Sequence, residues 1–100
     1  MPNSNYRKGV AFERRVMHYL ESIGYEVFRT AGSHGVADLI AFHPHSPPGW
    51  VQCKCGTATM SKKEREELCD RATNVGAVGV YAHTNKQNRI VFERIEIGGK

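Results

Sequence analysis

The chain has 100 residues, 40% of them hydrophobic and 24% charged, which suits one globular core and leaves no room for two. No apolar run approaches the ~20 residues of a membrane span, so no membrane-spanning helix is expected, and a formal charge of +4 fits a polyanionic partner without requiring one. Met1 to Lys8 lacks the apolar core of a secretory leader and reads as a short, flexible, weakly basic arm that carries Arg7 and Lys8. Residues 1–100, this arm included, read as a single domain. The three cysteines, Cys53, Cys55 and Cys69, are an odd number without a leader. They read as reduced thiols in a cytoplasmic compartment.

Residues 9–23 are predicted as an amphipathic helix. Phe12, Val16, Leu20 and Ile23 recur at the helical period, and Gly24 follows as a stop. Glu13 lies at the edge of that stripe, where an acid either reaches solvent or faces a polar pocket against a sheet. Residues 25–30 read as a strand, and Ala31 to Gly35 as a small flexible loop. Residues 36–42 read as a second, nearly apolar strand whose one charge is Asp38. His43 to Gly49, with three prolines, is expected to be an irregular connector. Residues 50–55 then pair back as a strand across a long hairpin loop.

Residues 61–74 are predicted as a second helix opened by a Ser61 and Glu64 capping box, with Leu68, Ala72 and Val75 on its apolar side. Residues 78–83 and 89–97 supply two more strands around a turn at 84–88. The order αβββαββ suggests an α/β fold with helices flanking a mixed central sheet.

Alternation along the third strand puts Gln52 and Lys54 on one face and Val51, Cys53 and Cys55 on the other. A hairpin register that sets Asp38 beside them makes a polar cluster on an apolar sheet. Burying unpaired charge is expensive, so the cluster calls for a function; a plain Asp38–Lys54 ion pair is the alternative. The chemistry it suits is metal-dependent phosphodiester hydrolysis. Asp38 offers Mg²⁺ a hard oxygen, Gln52 an amide oxygen, Cys53 a main-chain carbonyl, and Glu13 a contact to a bound water or second ion. Lys54 would stabilise charge on the pentacoordinate phosphorus or help deprotonate water. Lys8, Arg7, Arg14, Arg15 and Arg29 around the first helix, with Lys62 and Lys63 opening the second, form the basic surface.

Gly9-x-x-x-Glu13-Arg14, then Arg29-Thr30-Ala31-Gly32-Ser33-His34-Gly35-Val36-Ala37-Asp38, then Val51-Gln52-Cys53-Lys54, resembles the archaeal-type Holliday-junction resolvases of the PD-(D/E)xK nuclease superfamily. The Arg-x-Ala-Gly-Ser-x-Gly…Asp stretch is its specific part, and the likeness covers about residues 8–75. It implies a restriction-endonuclease-like core and a homodimeric, Mg²⁺-dependent endonuclease that resolves four-way DNA junctions by paired nicks, with Mn²⁺ as a substitute ion. No small-molecule cofactor and no membrane is implied, and the site of action is the cytoplasm, at cellular or viral DNA. Glu13, Asp38 and Lys54 match the family's catalytic residues, Ser33 its loop serine, and Arg14 and Arg29 its DNA-contacting arginines. Gln52 stands where the family usually has Glu. Glutamine does occur there in some members of the wider superfamily, but it removes one negative charge. Two alternatives therefore stay open: another branched- or flap-DNA nuclease of the superfamily, or a junction-binding protein that does not cut.

Other groupings are weaker. His34, His43, His45 and His83 with Cys53 and Cys55 lack zinc-ligand spacing. His34 reads as a loop histidine before a proton shuttle, and Trp50 as a core or hairpin aromatic before a stacking platform.

Overall fold

The computed structural model describes residues 4–30 and 35–96, with side chains from residue 7 onward. Its elements are α1 (Ser4–Ser22), β1 (Glu26–Arg29), β2 (Leu39–His43), β3 (Ser46–Cys53), α2 (Lys62–Asn74), β4 (Val78–Thr84) and β5 (Ile90–Arg94). The expected αβββαββ order and mixed sheet are what the chain forms. The five strands lie in sequence order, all neighbours antiparallel except β3 and β4, which α2 joins in parallel.

Both helices end on a glycine for the same reason. Tyr25 N–H donates to Leu20 O while Gly24 N–H donates to Glu21 O, and Ala77 and Gly76 repeat the pattern onto Ala72 and Thr73. These paired bonds satisfy the last free carbonyls of each helix, but they need a left-handed residue. Gly24 (φ 103°) and Gly76 (φ 78°) provide it. Ile23 and Val75, expected on the apolar stripes, fall in these closing turns and are exposed. At its other end α1 begins at Ser4, so the described part of the stretch read as an arm is helical.

The clearest difference from expectation is the segment 43–49. It is not an irregular connector: the chain turns at Pro44 and His45, and β3 already begins at Ser46. The register shows how a strand accommodates Pro47 and Pro48. Ala41 pairs with Gly49 but His43 pairs with Ser46, so β3 carries an extra residue across this interval. The prolines sit in that bulge, and β4 pairs with β3 only from Gly49 onward. Neither proline is required to donate to a neighbouring strand. The predicted second strand is also shorter than its apolar run, starting at Leu39 rather than Val36.

The sheet has two unlike faces. Phe12, Val16 and Leu20 of α1 pack on Val27, Leu39, Ala41, Val51 and Ala82. On the opposite face Leu68 of α2 packs with Ala37, Met60, Tyr81 and Ile95, and Ile40 and Trp50 lie against that cluster. Trp50 is therefore a core-edge aromatic. At Gly79 a Cβ would come within 3.2 Å of Leu68 Cγ, so the missing side chain lets α2 lie close over β4. That close seat fixes where the N-terminal turn of α2 stands relative to the end of β3.

Candidate active site

The polar residues gather where β2 and β3 stop pairing. The last register pair in that direction is Leu39 with Val51, which leaves Asp38 and Gln52 just beyond it. Asp38 is nonetheless fixed by its main chain. Its N–H donates to Val51 O (2.8 Å) and its carbonyl accepts from Thr30 N–H (3.0 Å). Its Oδ2 accepts the Cys53 N–H at 2.8 Å, so the carboxylate is aimed by the backbone of the neighbouring strand. Lys54 is held similarly, its N–H donating to Ala82 O (3.0 Å) one residue beyond β3.

Glu13 reaches the same place from α1. Its Oε1 accepts from Nη2 (3.2 Å) and Nε (3.3 Å) of Arg29, at the end of β1. From the opposite face Glu64 of α2 places Oε2 3.2 Å from the Lys54 ammonium.

The electrostatics follow from this crowding. Burial pushes the Glu13 carboxyl above its ordinary value, the Asp38 charge adds to the rise, and Arg29 opposes it. Burial likewise raises Asp38, against the lowering effect of the Cys53 N–H, Lys54 and Arg29. Two part-buried carboxylates, both raised chiefly by burial, make a site that favours a cation. Cys53 gives its N–H to this site while its thiol packs on the α1 core, and burial raises that thiol above its ordinary value. Among the described residues no three His, Cys, Asp or Glu side chains form a ready metal cage. Mg²⁺ does not need one, since it keeps most of its waters and takes one or two carboxylates. The oxygen donors of Glu13, Asp38 and Gln52 fit that requirement.

A stability consequence follows from the sign of the Asp38 shift. A carboxyl whose folded pKa exceeds its unfolded value costs stability when ionised. The cost is absent below the unfolded pKa and grows as pH rises through the folded one. Without metal, Asp38→Asn is expected to melt at a higher temperature than the unsubstituted protein at pH 7. The gap should close as pH falls below the ordinary carboxylate range, which thermal melts in chelator across pH will measure.

An open groove runs beside the site, lined by Lys8, Arg15, Lys54, Thr57 and Asn88 among others. Arg15 is anchored there, donating from Nη1 to Asn88 Oδ1 (3.4 Å) and from Nη2 to the Asn88 carbonyl. Lys62 and Lys63 are exposed in the first turn of α2, where cations oppose the helix dipole. Their position is poor for the helix and good for meeting phosphate.

A family model described as archaeal Holliday junction resolvase (hjc) matches residues 4–97. The chain belongs to that family. A crossover junction endodeoxyribonuclease Hjc from Methanocaldococcus jannaschii is 58% identical over a match that covers 91% of this chain and 80% of that protein. The fold also matches the crystal structure of Hjc, a Holliday junction resolvase from Archaeoglobus fulgidus. There the TM-score is 0.72 at 23% identity, over 85% of this chain and 74% of that one.

For this resolvase-family chain, the structure brings together Glu13, Arg29, Asp38, Cys53 and Lys54 of the residues expected at the site, and Gln52 lies beside Cys53 at the same end of β3. Arg14 is exposed on α1 next to Glu13, and Arg7 and Lys8 lie further along the same helix. Ser33 and His34 lie outside the described residues. Glu64 was missed, because the Ser-x-x-Glu pattern explained it completely as a cap. Its position ten residues after Lys54, at the first turn of a returning helix, was the available signal.

Proposed function

We propose that this chain is a metal-dependent endonuclease that resolves four-way DNA junctions by paired nicks, acting as a homodimer. The observation that carries the reading is a backbone-fixed carboxylate, Asp38, within electrostatic reach of Lys54 at one end of the sheet. The family membership and the name of the Methanocaldococcus jannaschii relative support the substrate.

Asp38 and Glu13 would hold Mg²⁺, or Mn²⁺ in its place, with the Gln52 amide oxygen and the Cys53 carbonyl completing the donors. When bound, the ion would lower the pKa of the attacking water and neutralise phosphate charge. Lys54 presents its ammonium to the phosphate oxygens, where negative charge builds in the transition state. Arg29 balances Glu13 and offers the rest of its guanidinium to the scissile strand. Arg14, Arg7, Lys8, Lys62 and Lys63 supply phosphate contacts, which position DNA without reading its sequence. Selectivity for a junction then comes from shape. One chain holds one such site, so two symmetric cuts need two copies, and a two-fold dimer matches the symmetry of the junction. A cytoplasmic place of action, at the DNA, agrees with three free cysteines. Among the described residues no helix is long and apolar enough to cross a membrane.

Side-by-side cleavage of a four-way junction, a flapped duplex and a linear duplex tests the substrate. Preferential nicking of the junction at symmetric positions in opposed strands is expected; equal cutting of the flap favours a more general branched-DNA nuclease. Gln52 supports a second reading, a junction-binding protein that does not cut. That reading is marked by tight junction binding with no nicks at any metal concentration.

A further inference from the structure

Glu64 is a helix cap that does a second job. Its Oε1 accepts the Ser61 N–H (2.8 Å) while its own N–H donates to Ser61 Oγ (3.1 Å), the reciprocal pair of a capping box. That leaves Oε2 free, and it receives the Lys54 ammonium at 3.2 Å. The Lys54 side chain is only 21% exposed. Its four-carbon stem is thus held within the site instead of sampling water, and α2 holds it. The Ser61 N–H keeps the Glu64 carboxyl below its ordinary value, with Lys54 adding to the effect, so the group is charged at neutral pH. Its charge is also felt at Asp38.

Charge explains why this matters in this chain. By strand alternation position 52, two residues before Lys54, lies on the same side of the chain as Lys54 and carries a neutral amide. With a neutral residue at position 52, Lys54 gains no anion from its own strand. Glu64 provides one from the other side of the chain reversal between β3 and α2.

We propose that Glu64 is a positioning residue for Lys54 and stands in for the negative charge that Gln52 does not bring to the site. The proposal rests on the nuclease function set out above, and its test separates the two. Glu64→Gln is the informative variant, because glutamine at this position preserves a capping box while removing the charge. The single-turnover junction-cleavage rate is expected to fall about 10- to 100-fold, the usual cost of losing a group that orients a site residue. Junction affinity should hold. Adding Gln52→Glu to Glu64→Gln should recover most of the lost rate, since it returns a carboxylate beside Lys54.

The second readout does not depend on cleavage. Labelling with an amine-reactive acetylating reagent, read by mass spectrometry against the exposed Lys86, should rise several-fold at Lys54 in Glu64→Gln and fall back in the double variant. Should the unsubstituted protein fail to cut, the nuclease reading fails and the labelling alone decides the role of Glu64. A Glu64→Gln protein that cuts and labels like the unsubstituted one reduces Glu64 to a cap and overturns the proposal. A loss in cleavage that Gln52→Glu does not recover overturns the stand-in role.

Discussion

Asp38→Ala is expected to lower junction cleavage by at least about 10²–10³-fold, the scale of losing one preorganised charged group from a catalytic centre. Junction affinity should stay the same or rise slightly. The reasoning begins with geometry. Asp38 Oδ2 is aimed by a main-chain donor of the neighbouring strand, the Cys53 N–H at 2.8 Å. Glu13 is tied to Arg29 and Glu64 to Lys54 and Ser61, so neither is free to take its place. In the proposed function DNA affinity would rest on other residues, the exposed arginines and lysines of α1 and the first turn of α2, and removing an anion beside them would not weaken phosphate contacts. Asp38→Ala also leaves the Cys53 N–H without its acceptor, which costs about 1–3 kcal/mol where that donor is shielded from water. Asp38→Asn keeps an acceptor oxygen and removes only the charge. Equal loss of cleavage in the two variants, with Asp38→Asn the more stable, assigns the effect to the carboxylate and not to misfolding. Gel-shift titration beside timed cleavage will measure both.

Gln52→Glu is expected to act in the opposite direction. A third carboxylate beside Asp38 and Glu13 should lower the metal concentration needed for half-maximal cleavage by on the order of tenfold or more, since affinity for hard cations follows the number of charged oxygen ligands. The same charge has a cost without metal. The site already holds two carboxylates lifted by burial, and a third raises their mutual repulsion. The variant should therefore melt at a lower temperature in chelator and gain more from added Mg²⁺. Calorimetric Mg²⁺ titration in the presence of an uncut junction analogue will measure the affinity. An unchanged metal requirement would mean that position 52 does not face the ion.

Much of this arrangement was legible in the sequence because it depends on local rules. The periods of Phe12, Val16 and Leu20 and of Val51, Gln52, Cys53 and Lys54 assigned faces correctly, and Ser61 with Glu64 marked a helix start to the residue. Asp38 stood out as a charge in an apolar strand, and the structure explains its tolerance by a backbone donor and an open strand end. What the sequence did not reveal depends on register and on contacts across the fold. Pro47 and Pro48 argued against a strand, yet a bulge and a late-starting neighbour remove the need for their missing N–H groups. The second role of Glu64 was hidden because its local pattern was already accounted for. Arg15 looked like one surface cation among several until α1 packed against the turn that holds Asn88. Ile23 and Val75 fit helical periodicity, but that period stops at the closing turn, and both ended in water.

Cleavage of a synthetic four-way junction by the unsubstituted protein, with Mg²⁺ and Mn²⁺ titrated separately and both opposed strands mapped, tests the central claim most directly. Paired nicks at symmetric positions that require added metal and disappear in Asp38→Asn are the expected result. Junction binding without nicks across the whole titration, or nicks that survive Asp38→Asn, would contradict it.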